Sequence, residues 1–351
     1  MGESMATEAD LTAERLTELL AGEIAGAVVT AVRTEPIGTG QMAECLRLEL
    51  QYSHPGAGPH NVIVKRPSHD PNSRAAAAAL RCYEVEVNFY RHLQPILGVR
   101  TPKMYYAEID VKRQDFTLLL EDVAPARQGD QIAGCTFDQA AAAIGELAAL
   151  HAPLWGHRRL ASFEWLHRNT ELSEDVIKAL YMNFTERYCE RLDPAVLDVS
   201  AELMDRLGTY VANQPGPWTI THGDFRLDNL LFFDAGPDHR VFVVDWQTAV
   251  CAPGISDVSY FLGGALPTEQ RRTHEKDLLR AYHERLRAAG IELTWGEVWS
   301  QYRRYAFGGL LMAIAASMLV KRTPRGDDMF VMMAQRHGHH AIDLEASSFI
   351  E

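Results

Sequence analysis

Leu11, Leu16, Leu19 and Leu20 fall at roughly helical spacing and predict a short helix over residues 11–24. Two strand-like runs follow at 27–37 and 43–52, joined by the turn Gly38-Thr39-Gly40-Gln41. A loop rich in Pro and Gly spans 53–59, and residues 61–66 read as a third strand. A helix is predicted over 74–93, then strands over 103–111 and 116–123. Beyond residue 123 the pattern changes. Residues 137–155 are rich in Ala and Leu, with Ile144, Leu147, His151 and Trp155 on one helical stripe. Helical patterns recur over 173–190, 197–213, 257–263, 268–289, 295–319 and 327–346, around a small β core. The expected class is α+β in two lobes, residues 1–123 with a five-stranded antiparallel sheet and residues 124–351 mostly helical.

Composition adds exclusions. Of the 351 residues, 47% are hydrophobic and 23% charged, as in an ordinary water-soluble globular chain. A formal net charge of −13 argues against partners such as nucleic acid or an anionic membrane surface. The apolar run 308–320 is too short to span a bilayer and reads as a buried helix. Five scattered cysteines without a C-x-x-C pair suggest reduced thiols, and the first ten residues are polar, so a cytoplasmic location is expected. Oligomeric state is not legible.

The chemistry concentrates between residues 221 and 247, in T-H-G-D-F-R-L-D-N-L-L-F and V-F-V-V-D-W-Q. Asp224, Asn229 five positions later and Asp245 beyond a hairpin form a base-and-metal set for phosphoryl transfer. Asp224 would take a hydroxyl proton, and Asn229 and Asp245 would hold Mg²⁺ on nucleotide phosphates. Asp224 alone would pass for a helix cap or turn residue, and Asn229 alone for a turn residue; the spacing shared with Asp245 favours catalysis. Asp245 ends the run 241–244, which reads as a strand buried on both faces, and a buried carboxylate there needs a cation or hydrogen-bond partners. Asp228 is assigned to loop hydrogen bonding, and His222 to a structural role.

Lys65, in N-V-I-V-K-R-P, shares a strand face with Ile63 and would grip the phosphates, while Arg66 would face solvent. Its carboxylate partner is expected to be Glu86, on the otherwise apolar stripe Cys82, Phe89, Leu93; Glu84, able to pair with Arg91, is the alternative. Gly38 and Gly40 would cover phosphates with backbone N–H groups, or serve simply as a tight turn. The stretch 118–123 lies at the hinge, where backbone groups of Glu121 and Val123 would meet an adenine edge.

Together, P-I-G-T-G-Q-M-A-E-C-L-R-L, E-V-N-F-Y, H-G-D-F-R-L-D-N, V-D-W-Q and P-G-I-S-D-V-S-Y-F-L resemble the aminoglycoside phosphotransferase and ecdysteroid kinase-like superfamily. The resemblance implies a bilobal protein kinase-like fold, ATP and Mg²⁺ as cofactors, and a small-molecule hydroxyl acceptor. It also implies that Asp257 braces the catalytic loop. Asp245 is followed by Trp-Gln rather than Phe-Gly, and no Ala-Pro-Glu follows, which sets protein substrates aside. The acceptor pocket is expected within 155–215 and 265–345. The aromatic and Met residues there (Trp165, Tyr181, Met182, Phe184, Trp299, Tyr302, Met312), with Arg303, Arg304, Lys321, Arg322 and Arg325, favour a lipophilic or acyl-linked alcohol over an aminoglycoside. The rival class is a nucleotide-binding pseudokinase with a scaffold role.

Overall fold

Leu46, Leu48 and Leu50 alternate along β2 (Ala43–Tyr52), and with Val62 and Val64 of β3 (Asn61–Pro67) they bury one sheet face. The covering element is α1 (Ala13–Leu19), whose Leu16 and Leu19 pack there with Leu20 and Ile24. In this computed structural model the described residues are 11–38, 42–167, 172–212, 214–233 and 239–350. With β1 (Val29–Ile37), β4 (Met104–Asp110) and β5 (Asp115–Glu121) the antiparallel sheet runs β1-β2-β3-β5-β4. The described chain divides into two units. The first holds the chain up to Ile96, Thr101–Pro125 and the short segment Asp245–Thr248; the second holds Leu97–Arg100, Ala126–Val244 and the chain from Ala249.

The single helix expected over 74–93 is broken. Asp70 caps the Asn72 N–H and Pro71 takes the first helical position, so α2 spans Pro71–Ala79. Arg81 then adopts left-handed backbone (φ 53°), and the chain restarts as α3 (Cys82–Asn88), passing into a π-type turn at Phe89–Leu93. Arg66 also departs from expectation: it is buried, not solvent-facing, because Glu44, its partner across β2, pairs with its guanidinium.

In the second unit, β6 (Arg127–Gln128), β8 (Leu230–Phe233) and β9 (Arg240–Val243) form one small sheet; β7 (Trp218–Thr221) and β10 (Val250–Pro253) form another. β9 buries Val241 and Val243, while Phe242 is only half-buried, so the strand is not covered on both faces as expected. The helices are α4 (Phe137–His151), α5 (Glu174–Tyr188), α6 (Pro194–Asp205), α7 (Leu207–Ala212), α8 (Gly254–Ala265), α9 (Thr268–Ala288), α10 (Trp295–Arg304), α11 (Gly308–Leu319) and α12 (Pro324–Asp343). Among the described residues no helix is long and apolar enough to cross a membrane.

Helix α8 is buried at every position but Ser256. It accepts such crowding because Gly263 and Gly264 of α8 and Gly309 of α11 leave room for the His337 ring of α12. A Cβ at Gly309 would lie 2.1 Å from that ring. Gly309→Ala is therefore expected to lower stability by about 1–3 kcal/mol through overpacking, read as a lower urea midpoint; an unchanged midpoint would contradict this packing.

Candidate active site

The loop between β7 and β8 is fixed from below by a buried carboxylate. Asp257, in the first turn of α8, accepts the backbone N–H groups of His222 (2.6 Å) and Gly223 (3.1 Å). Gly223 turns the chain with φ 78°, a conformation that suits a residue lacking Cβ. The His222 ring accepts the Asp224 N–H at Nδ1 (3.2 Å) and donates from Nε2 to the Val244 carbonyl (3.0 Å), which sets its tautomer. These bonds give Asp257 the bracing position and His222 the structural one.

Asp224 emerges from this loop with its side chain about one-fifth exposed (22%). Three side chains hold it. The Tyr260 hydroxyl donates to Oδ1 (2.8 Å), and Arg226 Nε and Asn229 Nδ2 both donate to Oδ2 (3.0 Å each). Asn229 Nδ2 also donates to the Asp224 carbonyl (2.9 Å), so the amide oxygen is the atom Asn229 can offer a metal ion. Arg226 bridges Asp224 and Asp228; burial opposes its charge, but the surrounding anions outweigh it and raise its pKa. Asp228 additionally accepts the Gln131 N–H (3.0 Å).

In the first unit, Lys65 Nζ donates to Glu86 Oε1 (2.6 Å) and to Asp245 Oδ1 (2.9 Å). Burial disfavours the ammonium, but Asp245 and Glu86 overcome it and raise the lysine pKa well above its ordinary value. Burial raises Glu86 in turn, with Lys65 acting against that shift. Asp245 has φ 68°, a left-handed conformation uncommon for a non-glycine residue. Its neighbour Trp246 is fully buried and stacks on Phe89 with centroids 3.6 Å apart. Glu84 pairs with Arg81 rather than with Lys65, and Arg91 donates to the Ala107 carbonyl.

Gly38 has the positive φ (71°) of a turn glycine, whereas Gly40 lies outside the described residues. The Glu121 N–H donates to the Lys103 carbonyl (2.8 Å) and is thus engaged within its own unit. Val123 follows β5 in coil, beyond the Asp122–Arg47 ion pair (2.8 Å). Of the residues expected to line an acceptor pocket, Phe184 and Tyr302 are core side chains, while Met182 lies 68% exposed. Arg303 donates to the Leu344 carbonyl and Arg322 pairs with Asp327.

Sequence reasoning missed the contacts of Arg226, Tyr260 and Gln131 with this loop. Arg226 stands midway between two acids in R-L-D-N and D-F-R, a spacing that could have flagged it. Gln131 accepts the Leu227 N–H (2.8 Å) and donates to the Gly264 carbonyl (3.2 Å), and nothing local in the sequence signals it.

The model of the ecdysteroid kinase-like family matches residues 38–294. No curated protein matches the chain. Among solved structures, a putative aminoglycoside phosphotransferase from Ralstonia eutropha is 18% identical, with 93% of this chain and 97% of that one covered and a TM-score of 0.53. An ethanolamine kinase of Plasmodium vivax is 9% identical (90% and 83% covered, TM-score 0.53). A microcompartment-associated aminopropanol kinase is 14% identical (91% and 94% covered, TM-score 0.51). At these identities the likeness is one of fold, the α+β fold of small-molecule kinases.

The ion pair of Lys65 with Glu86 is testable without a substrate. In a double-mutant cycle of Lys65→Met and Glu86→Gln, urea unfolding should show a coupling of roughly 0.5–3 kcal/mol. The same cycle with Glu84→Gln should be additive; coupling there instead would reassign the lysine's partner.

Proposed function

The chain belongs to the ecdysteroid kinase-like family, and on that premise we propose that this small-molecule kinase transfers the γ-phosphoryl group of ATP, with Mg²⁺ bound, to a hydroxyl oriented by Asp224. The observation that carries this reading is the Asp224 carboxylate, held by three side-chain donors yet still partly open to solvent. A carboxylate so fixed can accept the acceptor's O–H proton while that oxygen forms its bond to phosphorus and the bond to ADP breaks. Asn229, whose amide nitrogen is committed to Asp224, offers its oxygen, and Asp245 offers a carboxylate. Both are hard oxygen donors of the kind Mg²⁺ takes. The metal, when bound, neutralises charge on the phosphates. Lys65, kept charged and held by Glu86, would contact nucleotide phosphates.

The acceptor proposed is a lipophilic or acyl-linked alcohol rather than a polyamine sugar. A polycation would need unpaired carboxylates near the base. Asp224 and Asp228 are both bound to Arg226, and Arg325 lies 3.6 Å from Asp130 and 3.7 Å from Asp228. Incubation with Mg·ATP and a panel of kanamycin, choline, ethanolamine, an ecdysteroid and a hydroxyacyl thioester, read by mass spectrometry, tests the acceptor class. Phosphorylation of kanamycin alone would overturn it.

Asp224→Asn keeps the side chain's shape and removes its basicity. Turnover should fall by roughly 10²–10⁴-fold, with nucleotide affinity nearly unchanged. Collapse of nucleotide binding with normal turnover per bound nucleotide would make Asp224 a metal or structural residue.

A further inference from the structure

Helix α8 holds the catalytic loop at two points. Asp257 binds the loop's backbone, and three residues later, on the same face of the helix, Tyr260 reaches the Asp224 side chain. The Tyr260 ring is buried and stacks on His337 of α12, with centroids 5.4 Å apart and planes 20° from parallel. That stack fixes where the hydroxyl points.

An ionised carboxylate has about four lone-pair sites, two on each oxygen. On Oδ2, Arg226 and Asn229 occupy both. On Oδ1, Tyr260 occupies one. Resting on the reading of Asp224 as base, we infer that Tyr260 is a positioning residue for phosphoryl transfer: it locks the carboxylate so that the remaining site on Oδ1 meets the acceptor hydroxyl.

Several features support this arrangement. Burial, and then the charge of Asp224, raises the Tyr260 pKa well above its ordinary value, so the phenol stays a neutral donor. It therefore does not compete with Asp224 for the acceptor proton. Burial, with Arg336 and Arg271 nearby, pushes His337 down to about 3, so the ring behind Tyr260 is uncharged. Without the phenol, Oδ1 would lose its only protein donor among the described contacts, and the carboxylate plane would be set from Oδ2 alone.

Tyr260→Phe removes the hydroxyl and keeps the ring on His337. Mg·ATP hydrolysis, with water as the smallest hydroxyl acceptor, is followed for the wild type, Tyr260→Phe, Asp224→Asn and the double variant. ADP affinity is measured on the same preparations by calorimetry, which also reports that each variant is folded. Tyr260→Phe should lower kcat roughly 10- to 100-fold, as misplacement of a reacting group does, with ADP affinity unchanged. In the Asp224→Asn background it should cost nothing further, because Tyr260 acts through that carboxylate. Wild-type turnover in Tyr260→Phe beside a slow Asp224→Asn would overturn the positioning role and leave the base in place. So would an equal loss in both backgrounds. Wild-type turnover in Asp224→Asn would overturn the base assignment and, with it, this inference.

Discussion

The carboxylate of Asp257 is the constraint on which the loop between β7 and β8 depends. Only 3% exposed, it must be satisfied from within the protein, since an unpaired buried charge is costly. Two backbone N–H groups of the loop supply that, and His151 of α4 adds a third contact (3.4 Å). The start of α8 is also the favourable end of the helix dipole for an anion. His151 is itself held, by the Tyr282 hydroxyl of α9 at Nδ1 (2.8 Å) and by Thr219 of β7 at its carbonyl (2.7 Å). One buried charge thus gathers a strand, three helices and the loop, and the conformations of Gly223 and Asp224 follow from where it sits.

A different device fixes Asp245 in the first unit. Left-handed backbone at a non-glycine residue costs about 1–3 kcal/mol and persists only where its surroundings over-determine it. Contacts that do so here include the stack of Trp246 on Phe89 and the bonds from Lys65 and Gln247 to the carboxylate. The π-type turn at Phe89–Leu93 carries Phe89, and α3 just before it carries Glu86, the lysine's other partner. The Trp that follows Asp245, where protein kinases have Phe, therefore has a packing reason in this chain. Its indole covers an aromatic ring and anchors the strained residue beside it.

Much of the fold was legible because the signals were local. Apolar runs bounded by Gly- and Pro-rich turns marked the five strands of the first sheet to within a few residues. Spacing pointed to Asp224 and Asn229, which hydrogen-bond to each other, and to Asp245, which Lys65 contacts; stripe position selected Glu86 over Glu84, where the ion pair lies. What escaped depends on distant partners. The break at Arg81 carries neither Gly nor Pro, so helical periodicity reads straight through it. Arg66 is buried only because Glu44 stands opposite on the next strand, and alternation along one strand cannot show that. Tyr260 reads as one more apolar position of α8; its hydroxyl matters through Asp224, 36 residues earlier. Phe184 and Tyr302 looked like pocket residues by type, but type does not distinguish a pocket wall from a core.

Charge balance gives the two clusters a common property. In the first unit, one ammonium, Lys65, lies between two carboxylates, Glu86 and Asp245. In the second, Arg226 lies between Asp224 and Asp228, and Arg325 is shared between Asp228 and Asp130. In both, each acid has a cationic partner and each cation is shared between two acids. On the proposed reading, a free nucleotide polyphosphate approaching the first cluster, with two carboxylates to one ammonium, would meet net repulsion, roughly 4 kcal/mol for a unit pair at 4 Å in a partly buried site. A divalent cation on the phosphates would reverse the sign of that interaction.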